Sequence, residues 1–356
     1  MMKKTVVVML VTCCVVALGY SQRVRFAERI LTHALPARLS ADTAAELEDG
    51  LHITLCGAGG PMPAPNASGP CVVVVAGSQT FVVDAGTDGA RNLGRMGFRV
   101  GDVSAVLLTH FHSDHIDGLG ELATLRWAAG DNDAPLPVFG PQGVERVVTG
   151  FNEAYAYDFA HRHTHHGDSV APLAAAGLSA RPFELPKLGE LVTVLQTNDL
   201  LVEALLVDHA PVAPAVGYKF TYRNRTVVIS GDTAQSDNIT ALANNVDLLV
   251  HEALAPNLLK MMNTAAKQTG MDTFAKIAVD VLDYHASPRE AAATARAANV
   301  GHLLYYHIVP PLIVPGQEAL WLNGAEAIFE RYTVGRDGTS VSLPADSNAI
   351  IKTQRL

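Results

Sequence analysis

Charge is scarce in this chain. Charged residues make up 17% of its 356 positions, below the roughly 25% usual for soluble domains. The basic sign is the scarcer: 26 Lys and Arg stand against 35 Asp and Glu, for a formal net charge of -9. No basic run follows the first residues. Phosphate binding draws largely on Lys and Arg, so this balance disfavours nucleic acid as a partner. Internal repeats and low-complexity linkers are absent, which excludes a solenoid. Long apolar runs are absent as well, except at the N-terminus, so nothing after that point reads as a membrane span. Cysteine is rare. Of four, Cys13 and Cys14 lie in the first apolar run, which leaves Cys56 and Cys71. These two flank the loop "GAGGPMPAPNASGP" and read as small buried thiols. A bridge is the alternative in an oxidising compartment.

The exception at the N-terminus has the form of a signal peptide. Lys3 and Lys4 precede "TVVVMLVTCCVVALGY", an apolar run of 16 residues, and "Ala17-Leu18-Gly19" supplies small residues for cleavage. Residues 1–22 are therefore expected to be a leader, with a retained anchor as the alternative. "LVTC" lacks the small residue that a lipoprotein places before its cysteine. Export to the periplasm or the medium follows.

Residues 23–49 read as a helical arm, with Val24, Ile30, Leu31, Leu35, Leu39 and Leu47 among charges and Pro36 as a break. From residue 50 to 356 the pattern is of one hydrolase-sized domain. "LHITLCG", "CVVVVAG", "TFVVDAG" and "VSAVLLT" read as strands, with helices at 88–97 and in "IDGLGELATLRWAA". Residues 130–190 are rich in Pro, Gly and Ala. Strands return in "LLVEALLVDHA", "VGYKFTY" and "TVVISGDT", followed by "VDLLVHEA", a helix near 288–299 and "HLLYYHI". Two groups of strands, each mixed with helices, predict a layered α/β sandwich.

The densest chemistry lies in "LLTHFHSDHIDG". His110, His112, Asp114 and His115 fall within six positions, directly after an apolar strand. Histidine nitrogen and carboxylate oxygen are the usual non-thiolate ligands of zinc. On an extended segment His110 and His112 point the same way. Asp114 and His115 follow the turn and can face a second point nearby. One cluster does not fill two metal sites. His209 after "EALLVD", Asp232 after "VVISG" and His307 after "LLYY" close apolar runs as His110 does, and are the candidate partners.

This set resembles the metallo-β-lactamase superfamily, and within it the ribonuclease Z-like branch that also holds phosphodiesterases and arylsulfatases. The resemblance covers about residues 51–310. It rests on "DAG" at 84–86, "HFHSDH" at 110–115, "DHAPVAPAVGYKF" at 208–220, "SGDT" at 230–233, "HEA" at 251–253, "HAS" at 285–287 and "YHIVPP" at 306–311. It implies an αββα fold and two zinc ions. His110, His112 and His209 would hold one ion; Asp114, His115 and His307 would hold the other, with Asp232 bridging. Asp84 would orient a ligand without touching metal. Asp114, His285 and Glu252 would form the catalytic set, Glu252 orienting a neighbouring histidine. His285 lies just ahead of a helix opened by Ser287-Pro288, so it can project into the site.

The expected activity is metal-assisted hydrolysis of a small phosphodiester or related ester. Two metals about 3.5–4 Å apart can supply hydroxide at neutral pH and clamp substrate oxygens. Only 22 residues separate His209 from Asp232, which leaves no room for the protruding arm of the tRNA-processing members. With the acidic charge and the leader, this makes a small-molecule substrate the expectation and nucleic acid the disfavoured one. An arylsulfatase is the first alternative. A ribonuclease Z-type endonuclease, a lactonase and a non-catalytic metal-binding protein remain open, and a homodimer is plausible from the resemblance. "HRHTHH" at 161–166 reads as an exposed loop or lid. Tyr155 and Tyr157 before it read as substrate wall or helix packing. His33, His52, His251 and His302 read as ordinary structural or surface residues.

Overall fold

The computed structural model describes residues 2–356, with side chains from Tyr20 onward. The leader's side chains, from Lys3 through Cys13 and Cys14 to Gly19, lie outside the described residues. The chain divides into an N-terminal unit ending at Asp42 and a unit from Thr43 to Leu356. The first unit is a helix, α1 (Met2–Leu39). Pro36 does not break it. The proline sits in the last turn, and its carbonyl still accepts from the Ser40 N–H at 3.0 Å, so the helix ends one turn later than expected. Nor does the arm reach residue 49. Thr43 donates from its hydroxyl to the Met96 carbonyl and from its N–H to that of Gly97, which ties residues from 43 onward to the second unit. Among the described residues no helix is long and apolar enough to cross a membrane.

In the second unit, short β-branched runs form strands because such side chains pack well on a pleated surface. The first six are β1 (Gly50–Gly57), β2 (Cys71–Ala76), β3 (Gln79–Val83), β4 (Val103–Leu107), β5 (Leu136–Pro141) and β6 (Leu178–Phe183). The next seven are β7 (Leu191–Gln196), β8 (Leu200–Leu206), β9 (Val216–Tyr222), β10 (Arg225–Ile229), β11 (Leu248–Leu254), β12 (His302–Val309) and β13 (Tyr332–Val334). Then β14 (Thr339–Pro344) and β15 (Ile351–Gln354) return to the first group. Among the described residues one sheet has the order β15-β14-β1-β2-β3-β4-β5-β6 and the other β13-β12-β11-β10-β9-β8-β7. The expected αββα sandwich is the observed fold. Leu51, Ile53, Val72, Val74 and Phe81 of one sheet face Val202, Tyr218, Phe220, Val227 and Leu304 of the other in a shared core. Outside the first sheet, Val73, Val82 and Val106 pack with Leu93 of α2 (Gly89–Arg95) and, beyond the short α3 (Ser113–Ile116), with Leu122 of α4 (Leu119–Ala129) and Val148 of α5 (Val144–His166). Outside the second, Val228, Leu249 and Leu303 pack with Ile239 of α6 (Asp237–Leu242). After α7 (Pro256–Gln268) and α8 (Asp272–Asp280), Ala291 and Ala295 of α9 (Pro288–Ala297) and Trp321 of α10 (Gln317–Leu322) complete that layer.

Cys56 and Cys71 are disulfide-bonded, contrary to the reading as free thiols. The reason is register. β1 and β2 are antiparallel, Gly57 pairs with Cys71, and a bulge between Leu55 and Gly57 carries Cys56. The two Cα atoms are 5.0 Å apart, within the range a disulfide spans.

Parallel pairing positions the site. β3 pairs parallel with β4, and β10, β11 and β12 pair parallel in turn. Residues that follow these strands therefore leave at one edge: Asp84 after β3, His110 after β4 and Asp232 after β10. β8 is antiparallel to β9, which is antiparallel to β10, so His209 after β8 joins the same edge.

Candidate metal centre

At that edge the side chains of His110, His112, His209 and Asp232 bring their ligand atoms within 4.8 Å of one another, and so do Asp114, His115 and His307. Asp232 Oδ2 faces both groups. It lies 3.3 Å from Nε2 of His115 and of His307, 3.9 Å from Nε2 of His110 and 4.0 Å from that of His209. His307 Nε2 lies 3.3 Å from Asp114 Oδ2.

These distances suit a metal. Donors held at about 2.0–2.1 Å around a tetrahedral zinc are about 3.3–3.4 Å apart. Nε2 of His110, His115 and His209 and Oδ1 of Asp232 are also buried without a hydrogen-bond partner. Such orphan atoms are costly unless something else satisfies them. The donor set is nitrogen and carboxylate oxygen throughout, as zinc and similar divalent cations prefer.

The opposite ring nitrogens are fixed by the protein, which decides the tautomers. His209 Nδ1 donates to the Tyr284 carbonyl at 2.9 Å, so its Nε2 carries the lone pair. His115 Nδ1 donates to Asp84 Oδ2 at 2.8 Å. Asp84 also accepts from the Thr109 N–H and hydroxyl, each at 2.8 Å. Among the described residues it joins no metal-capable group and stands behind His115, on the Nδ1 side of the ring. Thr109 was not singled out from sequence; a polar residue closing the apolar run before His110 was the available signal.

Two backbone features aim the ligands. His307 is the extra residue where Glu252 pairs with Tyr306 but Ala253 with Ile308, and its φ is 45°. A bulge re-aims a side chain that the alternation of a strand would send elsewhere. Gly231 has φ 65°, and a Cβ there would lie 2.7 Å from the Val216 carbonyl oxygen and 3.0 Å from Thr109 Cβ. Only glycine lets the chain turn Asp232 into the site at this approach.

His285 stands beside the cluster. Its Nδ1 is 2.9 Å from Glu252 Oε1, which also accepts from the Thr233 and Ala286 N–H groups. Its ring lies 5.2 Å from that of His209 and 5.6 Å from that of His307. Burial opposes the charged imidazole, but the Glu252 charge and hydrogen bond outweigh it and raise His285 to about 9. Burial, then the charge of His115, push His110 well below the ordinary histidine value. Burial also opposes charge on His115, yet Asp232 and Asp84 on its two sides raise it well above that value.

The histidine run at 161–166 is not a loop. It is the exposed C-terminal end of α5, where helix propagation continues to the cap at Gly167. Among the described residues no group of three or more metal-binding side chains includes it, or includes His33, His52, His251 or His302. Tyr155 packs with Trp127 and Phe159, while Tyr157 is 82% exposed and stacks on His161.

An αββα sandwich with paired His and Asp clusters at one sheet edge defines a class of metal-dependent hydrolase. Residues 65–288 match the metallo-beta-lactamase superfamily, and the chain belongs to it. Within it, the sequence is similar to ribonuclease Z. That of Mycobacterium bovis (strain BCG / Pasteur 1173P2) is 35% identical over 292 residues, covering 81% of this chain and 96% of the relative. That of Mycobacterium sp. (strain KMS) is 36% identical over 282 residues, covering 79% and 92%. Among solved structures, human tRNase Z, short form, superposes with a TM-score of 0.57 at 18–19% identity, as does the metallo-beta-lactamase fold protein YhfI from Bacillus subtilis. The former covers 82% of this chain and 99% of its own, the latter 83% and 100%. These two show the fold.

The relatives overturn one expectation. A small-molecule substrate with nucleic acid disfavoured does not stand beside ribonucleases Z that align over four-fifths of the chain. The error lay in using net charge. Charge is a property of the whole surface, whereas phosphate is recognised by the local field, to which bound cations contribute most.

Proposed function

We propose that this chain hydrolyses RNA phosphodiester bonds with two divalent cations, zinc by preference. The observation that carries the reading is the position of Asp232 Oδ2 between two donor groups. Similarity to ribonuclease Z supports the substrate class. His110, His112 and His209 would hold one cation and Asp114, His115 and His307 the other, with Asp232 within reach of both groups. When bound, the pair supplies Lewis acidity, which activates water and neutralises phosphoryl charge. Asp84 holds the proton of His115 on Nδ1 and so keeps Nε2 bare. Glu252 accepts from Nδ1–H of His285 and favours the charged imidazolium, whose Nε2–H is then available to stabilise charge on the phosphoryl oxygen or to protonate the leaving oxygen.

The test is hydrolysis of RNA carrying a 3′ extension by zinc-loaded full chain, beside aryl phosphodiesters and aryl sulfates. RNA cleavage that is lost on chelation and in Asp232→Ala is the expected result. Turnover of sulfates with no cleavage of RNA would refute the substrate class. We further propose export with cleavage near Gly19; the Cys56–Cys71 bond supports it, since disulfides persist in oxidising compartments. N-terminal sequencing of protein from the cell envelope and medium tests this, and an intact leader in the cytosol refutes it.

A further inference from the structure

We propose that residues 20–39 form an amphipathic arm that docks on an anionic lipid bilayer surface. The proposal is independent of the hydrolytic reading. Every residue from Tyr20 to Leu39 is exposed. Among them are Tyr20, Val24, Phe26, Ile30, Leu31 and Leu35, with Leu35 the least exposed at 45%. So many large apolar side chains on one solvent-facing element mark an interaction surface.

Their arrangement on the helix selects the partner. At 3.6 residues per turn, Tyr20, Val24, Ala27, Leu31 and Leu35 fall within an arc of about 80°. Gln22, Arg25, Arg29 and His33 occupy an arc of similar width on the opposite side. Arg23, Arg25, Arg29 and Arg38 stand against Glu28 alone, net +3, on a chain whose formal charge is -9. A helix with one apolar face and a basic one seats the first at the headgroup boundary and pairs the second with anionic lipid. Pairing with a second copy fits less well. Ile30 lies about 60° beyond the main arc, Phe26 borders the basic one and Arg38 falls within the apolar one, a spread unlike the narrow seam of a coiled coil, and two such arms would bring like charges together. Residues 5–19 ahead of the arm carry no charged side chain. If that run is retained it lies next to the proposed surface, and if it is cleaved the arm remains.

The experiment uses the full chain, or its processed form, with phosphatidylcholine vesicles that contain or lack phosphatidylglycerol. Co-sedimentation and hydrogen exchange at residues 20–39 are the readouts. Binding is expected on the anionic vesicles, falling as salt is raised, with exchange at residues 20–39 slowed only when those vesicles are present. Each arginine near such a surface raises partition about fivefold, so Arg25→Gln with Arg29→Gln should lower it about 25-fold. Leu31→Ser with Leu35→Ser should abolish the slowed exchange. All variants should hydrolyse soluble substrate like the parent, which controls for folding. Equal partition onto neutral and anionic vesicles, or indifference to the four substitutions, overturns the proposal by assigning any binding to residues 5–19. An arm-dependent dimer in sedimentation velocity without vesicle binding overturns it in favour of a second copy.

Discussion

Asp84→Asn should weaken one of the two proposed metal sites and leave the other. The substitution conserves volume, and asparagine tolerates the native φ of 56°, so the backbone has no reason to move. What changes is the direction of hydrogen bonds. Asp84 Oδ1 accepts from the Thr109 N–H, and Oδ2 accepts from the Thr109 hydroxyl and His115 Nδ1. An amide offers one acceptor and one donor. If its NH2 faced the Thr109 N–H, two donors would meet in a site where Asp84 is 1% exposed. The oxygen must therefore take that place, and the NH2 then faces His115 Nδ1. The imidazole responds by moving its proton to Nε2, the atom 3.3 Å from Asp232 Oδ2. A protonated Nε2 cannot ligate. Restoring the metal-binding tautomer sets donor against donor, at a cost of about 1–3 kcal/mol, or about 10–100-fold in affinity, the range typical for loss of such a partner. Competition with a graded chelator resolves the two sites. One, served by Asp114, His115 and His307, should weaken by that factor, while the one served by His110, His112 and His209 should hold. Two unaltered affinities in a folded Asp84→Asn protein would refute the tautomer argument.

His285→Ala should lower turnover about 10²–10⁴-fold with metal content unchanged. The alkaline limb of the parent's pH–rate profile, set by His285 near 9, should vanish with it; equal activity of parent and variant refutes the role. Replacing Cys56 and Cys71 together by Ala should cost about 3 kcal/mol, the closure entropy of a loop of about 15 residues, and unchanged urea denaturation would contradict it. His302 is held at about 4 by burial and by the charges of Lys352 and Arg331. Between pH 6.5 and 4 only the unfolded chain takes up this proton, so stability falls as pH falls through that window and is constant in this respect outside it. The loss approaches about 3 kcal/mol. His302→Gln should lose correspondingly less between pH 7.5 and 4.5 in urea titrations, and equal losses would exclude His302 as a source of acid sensitivity.

The layered fold was legible because its strands are apolar runs bounded by turn residues, and strands buried on both faces, between the other sheet and the helices, need such runs. "CVVVVA" could be little else. The ligand types were legible too, since His110, His112, Asp114 and His115 are adjacent in sequence and need only a local turn to converge. Three readings failed where the deciding contact is distant or the helix context local. Cys56 and Cys71 bond because a bulge in β1 sets their register. "HRHTHH" is helical because α5 runs on to Gly167. Thr43 belongs to the main unit because it bonds to Met96 and Gly97.

Residue type alone determined which side chains could hold metal and which strands would be buried, because both follow from chemistry carried by each residue or its near neighbours. Tertiary structure alone decided which of those side chains meet. Parallel pairing of β10, β11 and β12 brings their ends to one edge, a bulge turns His307 inward, and Thr109, two residues past β4 beside β3, helps to hold Asp84 behind His115. No sequence spacing encodes those contacts, because strand register and bulges arise from pairing between segments far apart in the chain.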